Sequence, residues 1–169
     1  HYALGRDIEI AVIDGERRFG NGHCLPSGPL REPAERLKKV DLVVANGVAA
    51  AGEFAMHVKA GEAVNLVSGE HRPVEQFRSQ HIHAVAGIGH PARFFTALRD
   101  AGLTVEVHVF PDHHAYRLED LAFGDAAVLM TEKDAVKCQR FARPNLWSVG
   151  AQVEMPDDFG AQVLGLLRR

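Results

Sequence analysis

One carboxylate and two imidazoles stand side by side in Phe110-Pro-Asp-His-His-Ala-Tyr116, directly after the apolar run Thr104–Val109. A proline opens the turn, so the stretch reads as a loop at a strand end. Open α/β sheets bind their ligands at such ends. An Asp beside a His orients the imidazole and makes it a better proton acceptor. His113 or His114 is therefore a candidate general base, with Asp112 or another carboxylate fixing its tautomer. A polar turn, in which Asp112 caps a helix near Leu118 and the histidines are solvated, accounts for the same residues. A metal site needs further ligands, and no HExxH or HxH pattern occurs nearby, since His81-Ile-His83 is distant and strand-like.

Three further groupings carry chemical potential. In Gly28-Pro-Leu-Arg-Glu-Pro33 two prolines stiffen a loop that presents Arg31 and Glu32 just before a helix. Arginine suits bidentate contact with phosphate or carboxylate, and an Arg31–Glu32 or Arg31–backbone brace is the plainer reading. Thr131-Glu-Lys-Asp134 follows an apolar strand, so Thr131, Lys133 and Asp134 could hold a polar ligand. Thr131 could equally be an N-cap with Asp134 at the third helical position, a variant of the capping box. Gly87-Ile-Gly89-His-Pro91 has part of a dinucleotide fingerprint, but Ala92 stands at the third glycine position, and close packing of the turn explains the glycines as well. Asp14-Gly15 is a strand-end acid whose expected role is a turn.

The elements that must position these groups alternate. Asp7–Asp14 reads as a buried strand, 15–33 as a long Gly- and Pro-rich loop, and Glu32 or Pro33 to Lys39 as a helix. Asp41–Ala45 is a second strand closed by Asn46-Gly47, which completes a βαβ unit with parallel pairing. Glu53–Lys59 and Ala63–Val67 alternate on either side of Ala-Gly-Glu and predict a hairpin. Polar residues 68–80 read as a linker. The remainder predicts strands at 82–88, 103–109, 126–131 and 146–149, with helices at 91–100, 118–123, 132–138 and 157–167 and Gly102 ending the first of these.

The 169 residues allow one domain or two small ones, and 46% hydrophobic with 24% charged content is that of a globular protein. A net charge of −3, with basic residues clustered only at Arg36-Leu-Lys-Lys39 and Arg168-Arg169, argues against a nucleic-acid binder. Cys24 and Cys138 stand far apart, which excludes a zinc knuckle and gives no disulfide framework, so a reduced compartment is the default. No apolar run approaches the ~18 residues a membrane span needs.

Taken in order, VIDGERRFGNG (12–22), LPSGPLREP (25–33), VDLVVANG (40–47), AVAGIGHPARFF (84–95), FPDHHAY (110–116) and MTEKDAVK (130–137) resemble the tetraacyldisaccharide 4'-kinase family, the lipid A kinases. The resemblance covers nearly the whole chain. It implies a three-layer α/β/α fold, in which a P-loop NTPase-like domain joins a smaller parallel-sheet, Rossmann-like domain through a two-stranded β linker. Residues 1–50 would be the tail of the first domain, 51–80 the linker and 81–169 the second domain. Family members are about twice as long, and their front half carries the ATP loop and a paired-Asp motif ending in Gln-His, to which His1 would correspond.

The implied activity is transfer of the ATP γ-phosphate to the 4'-hydroxyl of tetraacyldisaccharide 1-phosphate, with Mg2+, at the cytoplasmic face of the bacterial inner membrane. The implied parent is a monomer in peripheral contact with that membrane and binds no nucleic acid. ATP and Mg2+ would be held mainly by the front half, leaving this chain inactive alone. His113 would be one partner of an Asp–His proton-handling pair, with His114 as the fallback. His1, Arg31, Glu32, Asp112, Thr131, Lys133 and Asp134 would touch substrate or nucleotide. A non-catalytic α/β ligand-binding module is the alternative from another class, and a metal-dependent hydrolase comes third.

Overall fold

The structure, a computed structural model, describes residues 5–168. In chain order it contains β1 (Ile10–Asp14), a 3-10 helix (Ala34–Lys39), β2 (Leu42–Asn46), β3 (Phe54–Asn65), β4 (His71–Pro73) and a 3-10 turn (Val74–Phe77). There follow β5 (Ile82–Ala86), α1 (Pro91–Asp100), β6 (Val105–Val109), a 3-10 helix (Leu118–Leu121), β7 (Ala127–Thr131), α2 (Glu132–Cys138), a 3-10 turn (Gln139–Phe141), β8 (Leu146–Glu154) and α3 (Asp157–Leu167). Strand pairing is predominantly parallel, so the fold is mixed α/β. Two compact units divide the chain. One holds the described residues up to His57 and those from Val153 on, and the other holds Val58–Gln152. These breaks fall elsewhere than the expected ones at 50 and 80: α3 goes with the N-terminal strands, and 58–80 with the second unit.

In the first unit β1 pairs in parallel with β2 from Ile10↔Leu42 to Asp14↔Asn46, and β2 with the start of β3 at Val44↔Phe54. This is the expected βαβ arrangement, with the crossover helix shortened to a 3-10 helix. Pro33 enters that helix with extended backbone and gives no side-chain cap, and three basic residues crowd its six positions. Phe159 of α3 meets Phe54 edge-on at 5.1 Å.

Residues 53–67 do not form a hairpin. They make the single strand β3, which pairs antiparallel with β4 only beyond a reversal at Asn65–Glu70. Gly61 does not have the positive φ of a turn glycine. Its bare face admits β8, and a Cβ there would lie 3.1 Å from the Gly150 carbonyl oxygen. The glycine serves close strand approach. Nor is 68–80 a simple linker, because Val74 and Phe77 are buried in the core, with Phe77 edge-on to Trp147 at 5.2 Å.

The second unit orders its parallel strands β8-β7-β5-β6. One sheet face packs Ile82, Ala84 and Leu129 against Phe95 and Leu98 of α1, while the other packs Val85, Val128 and Met130 against Tyr116, Leu121 and Cys138. The connection after β5 therefore covers one face and that after β6 the other. Such a reversal of winding opens a crevice at the carboxyl ends of the two strands.

Candidate functional site

Three strands of the second unit end together, and the turns after them carry the conspicuous motifs: Gly87–His90 after β5, Phe110–Tyr116 after β6, and the start of α2 after β7. Asp134 is their hub and is fully buried. Its Oδ2 accepts the Gly87 N–H at 3.0 Å and the Thr131 hydroxyl at 2.7 Å, and Oδ1 faces the Lys137 ammonium at 2.9 Å. Thr131 is also the N-cap, accepting the Asp134 N–H at 3.2 Å, so the capping reading holds. Burial pushes the Asp134 carboxyl up, but the Gly87, Thr131 and Lys137 donors outweigh it and hold the group below its ordinary range.

Tyr116 closes this cluster from below. Its hydroxyl is buried with no hydrogen-bond partner, and a Cβ on Gly87 would come within 2.7 Å of it. Burial, reinforced by the Asp134 charge, drives the phenol far above its usual range. The same surroundings push the buried Cys138 thiol up to about 12.

The two histidines of the β6 turn are placed differently. His114 is held: its Nε2 lies 2.9 Å from Asp120 Oδ2, its N–H donates to the Pro111 carbonyl, and its ring stacks on Phe110 at 4.7 Å. Asp120 also accepts the Arg117 N–H, and the two contacts, His114 first, hold its carboxyl below the usual range. Asp120, not Asp112, thus caps the Leu118–Leu121 helix. His113 is instead presented, with 91% of its side chain exposed and its Nε2 3.8 Å from Asp112 Oδ2. It sits at φ 60°, and its N–H donates to Asp112 Oδ1 at 3.0 Å. Left-handed backbone costs a non-glycine residue about 1–2 kcal/mol and is found where a site demands it.

Arg31 and Glu32 lie in the first unit, on an open groove of about 410 Å³ lined also by Asp14, Arg18 and the β1 face. The expected Arg31–Glu32 brace does not form. Glu32 pairs with Arg36 at 3.3 Å, and Arg36 also binds Glu9, which leaves the Arg31 side chain exposed on the groove. Asp14 makes the turn expected of it, accepting the N–H groups of Glu16 and Arg17. The loop is pinned by Arg18, whose two guanidinium nitrogens each donate to Glu53 at 2.7 Å. That hydrogen-bonded pairing, helped by the Ala50 N–H, lowers the Glu53 carboxyl to about 2.

Of the residues singled out from sequence, Thr131 and Asp134 meet in one cluster, and Asp112 and His113 stand on the neighbouring turn. Lys133 is exposed, and the ammonium that joins the cluster belongs to Lys137, one helical turn after it. His1 lies outside the described residues. Tyr116, Asp120, Lys137 and the Arg18–Glu53 pair were not singled out. Only Lys137, three residues after Asp134 on a helix, carries a sequence signal for its contact.

The tetraacyldisaccharide-1-P 4'-kinase family model matches residues 1–168. The chain belongs to that family. Tetraacyldisaccharide 4'-kinases of Nitrosococcus oceani and Methylobacillus flagellatus are 59% and 52% identical to it over its whole length, and that of Ruthia magnifica is 47% identical over 94% of it. The chain spans about half the length of these curated relatives. Among solved structures, LpxK from Aquifex aeolicus, in complex with ATP, superposes with a TM-score of 0.71 at 22% identity, covering 97% of this chain and 54% of that one. Family membership and the mixed α/β fold thus agree.

Proposed function

We propose that the protein carrying this chain transfers the γ-phosphate of ATP to the 4'-hydroxyl of tetraacyldisaccharide 1-phosphate, with the second unit supplying a proton-handling histidine. Family membership supports the reaction class, and the names of the relatives give the acceptor. The observation that carries the histidine's role is the contrast within the β6 turn: His114 is tied to Asp120, while His113 is exposed in a left-handed conformation beside Asp112. Phosphoryl transfer needs in-line positioning, cationic clamping and a group that takes the hydroxyl proton. His113 would accept that proton or raise the basicity of an aspartate that does. Arg31, exposed on its groove, would hold a phosphate, and Glu32 would keep Arg36 away from it. The Asp134 cluster would hold the Gly87 turn in shape.

The first unit reads as the tail of a P-loop-type domain. β1 stands at the end of the strand order among the described residues, where its outer backbone edge would accept a further strand. The β3–β4 pair would be the two-stranded linker. The chain contains no GxxxxGK[ST] loop, and the one possible metal-binding group among the described residues is nitrogen-rich, unlike the all-oxygen sets Mg2+ prefers. Mg2+ and the nucleotide phosphates would therefore be held by the other half of a full-length member, and this chain alone would be inactive. The parent would act as a monomer at the cytoplasmic face of the bacterial inner membrane through peripheral contact. Among the described residues no helix is long and apolar enough to cross a membrane.

The test is His113→Ala in the full-length protein, assayed for ATP-dependent phosphorylation of tetraacyldisaccharide 1-phosphate. Loss of a proton-handling group lowers kcat by roughly 10²–10⁴-fold, with KM for ATP little changed. Unchanged turnover sinks the assignment, and a comparable loss confined to His114→Ala transfers it to His114.

A further inference from the structure

Three histidines and a glutamate that the proposed reaction does not use meet in the second unit. β5 and β6 run in parallel register with His83 beside Glu106 and Val85 beside His108. Strand alternation therefore puts His83, Glu106 and His108 on one face, and His81, two residues before His83, joins them. His83 Nδ1 lies 2.9 Å from His108 Nε2. Glu106 Oε2 lies 3.6 Å from both His81 Nε2 and His83 Nδ1, and its Oε1 lies 3.8 Å from His108 Nε2. Phe123 backs the rings, stacked on His83 at 4.2 Å and tilted against His108 at 4.3 Å.

We propose that His81, His83 and Glu106 form a binding site for one divalent transition-metal ion of the Zn2+ class, with His108 hydrogen-bonded to His83 beside it. Imidazole nitrogens with a single carboxylate are the donors such ions select over Mg2+ or Ca2+. Ligands at ~2.0–2.2 Å from a tetrahedral ion stand roughly 3.3 Å from one another; Glu106 Oε2 lies 3.6 Å from each of the two ligating histidines, and the three ligand atoms all lie within 4.8 Å of one another. Entry is open, because the side chains of His81 and Glu106 are 68% and 55% exposed, while His83 is buried and fixed by its stack. A bound ion would pin β6, the last strand in the sheet order, to β5.

The experiment uses the full-length protein, purified without a histidine tag, stripped with a chelator and titrated with Zn2+ against a chromogenic competitor. One equivalent binds with sub-micromolar affinity, the Co2+-loaded protein shows the visible absorption of a tetrahedral site, and Zn2+ raises the melting temperature. His81→Ala and Glu106→Gln change only exposed side chains, so both fold, and each weakens binding by at least ~10-fold. His71→Ala, an exposed histidine outside the cluster, leaves affinity unchanged. Absence of stoichiometric uptake, affinity undiminished in both ligand variants, or equal weakening in the His71 control overturns the proposal.

Discussion

The Asp134 hub gives the sharpest quantitative prediction, because its partners divide cleanly between the two carboxylate oxygens. In Asp134→Asn the amide keeps the side chain's shape. Its carbonyl oxygen can take the Oδ2 position and still accept from Gly87 and Thr131, but its NH2 then faces the Lys137 ammonium, donor against donor. A hydrogen bond to a charged group is worth about 1.5–3 kcal/mol. Removing the charge also relieves the desolvation of a fully buried carboxylate, which recovers part of the loss. The expected cost is about 2 kcal/mol. Lys137→Met leaves the buried carboxylate with only neutral donors and costs about 1.5–3 kcal/mol. In the double variant the donor clash disappears, so its cost falls short of the sum by about 1–2 kcal/mol, as coupled neighbours do. Urea unfolding read by Trp147, buried in the same unit, measures all three. Acid adds a second check. The native carboxyl titrates below its ordinary value, so its contribution is complete above that value and fades as pH falls through the lowered one. Asp134→Asn therefore flattens the acid limb. An Asp134→Asn cost under ~0.5 kcal/mol, or strictly additive single losses, would refute the hub.

Other outcomes follow from the same geometry. Tyr116→Phe removes a buried hydroxyl that has no partner and is neutral or stabilising in urea titration, since the phenol forfeits no hydrogen bond. Gly87→Ala forces a Cβ to 2.7 Å from that hydroxyl and costs about 1–3 kcal/mol, and Tyr116→Phe on the same chain recovers part of the loss. Glu53, lowered to about 2 from 4.5, stabilises fully above 4.5 and loses its contribution as pH falls toward 2. Discounted for the partly exposed Arg18, this is worth about 1–2 kcal/mol; an unaltered acid-unfolding curve in Glu53→Gln would count against it. Iodoacetamide with peptide mapping labels Cys24 in the native protein and reaches Cys138 only after unfolding, because the latter is buried and held as thiol.

The sequence was most legible where local chemistry decides the outcome. α1 begins at Pro91 and ends before Gly102, which has φ 86°, because proline at the first turn and a left-handed glycine after the last are sufficient signals in themselves. The Thr131 cap was legible for the same reason. Where the deciding partner is distant in sequence, the local pattern misled. Ala60-Gly61-Glu62 has the composition of a turn, yet Gly150, far along the chain, makes it the flat centre of a strand. Arg31 beside Glu32 looked like a pair, but Arg36 on the next turn holds Glu32 and also reaches Glu9. Lys133 next to Asp134 looked like its cation, although on a helix neighbours in sequence diverge and residues three or four apart meet, which favours Lys137. The histidine cluster shows the same limit. His81-Ile-His83 alone is a strand with two polar residues on one face, and only the pairing of β5 with β6 brings Glu106 and His108 beside them. Motifs contained in one turn can thus be read from order alone, whereas a site built across two strands needs the register that joins them.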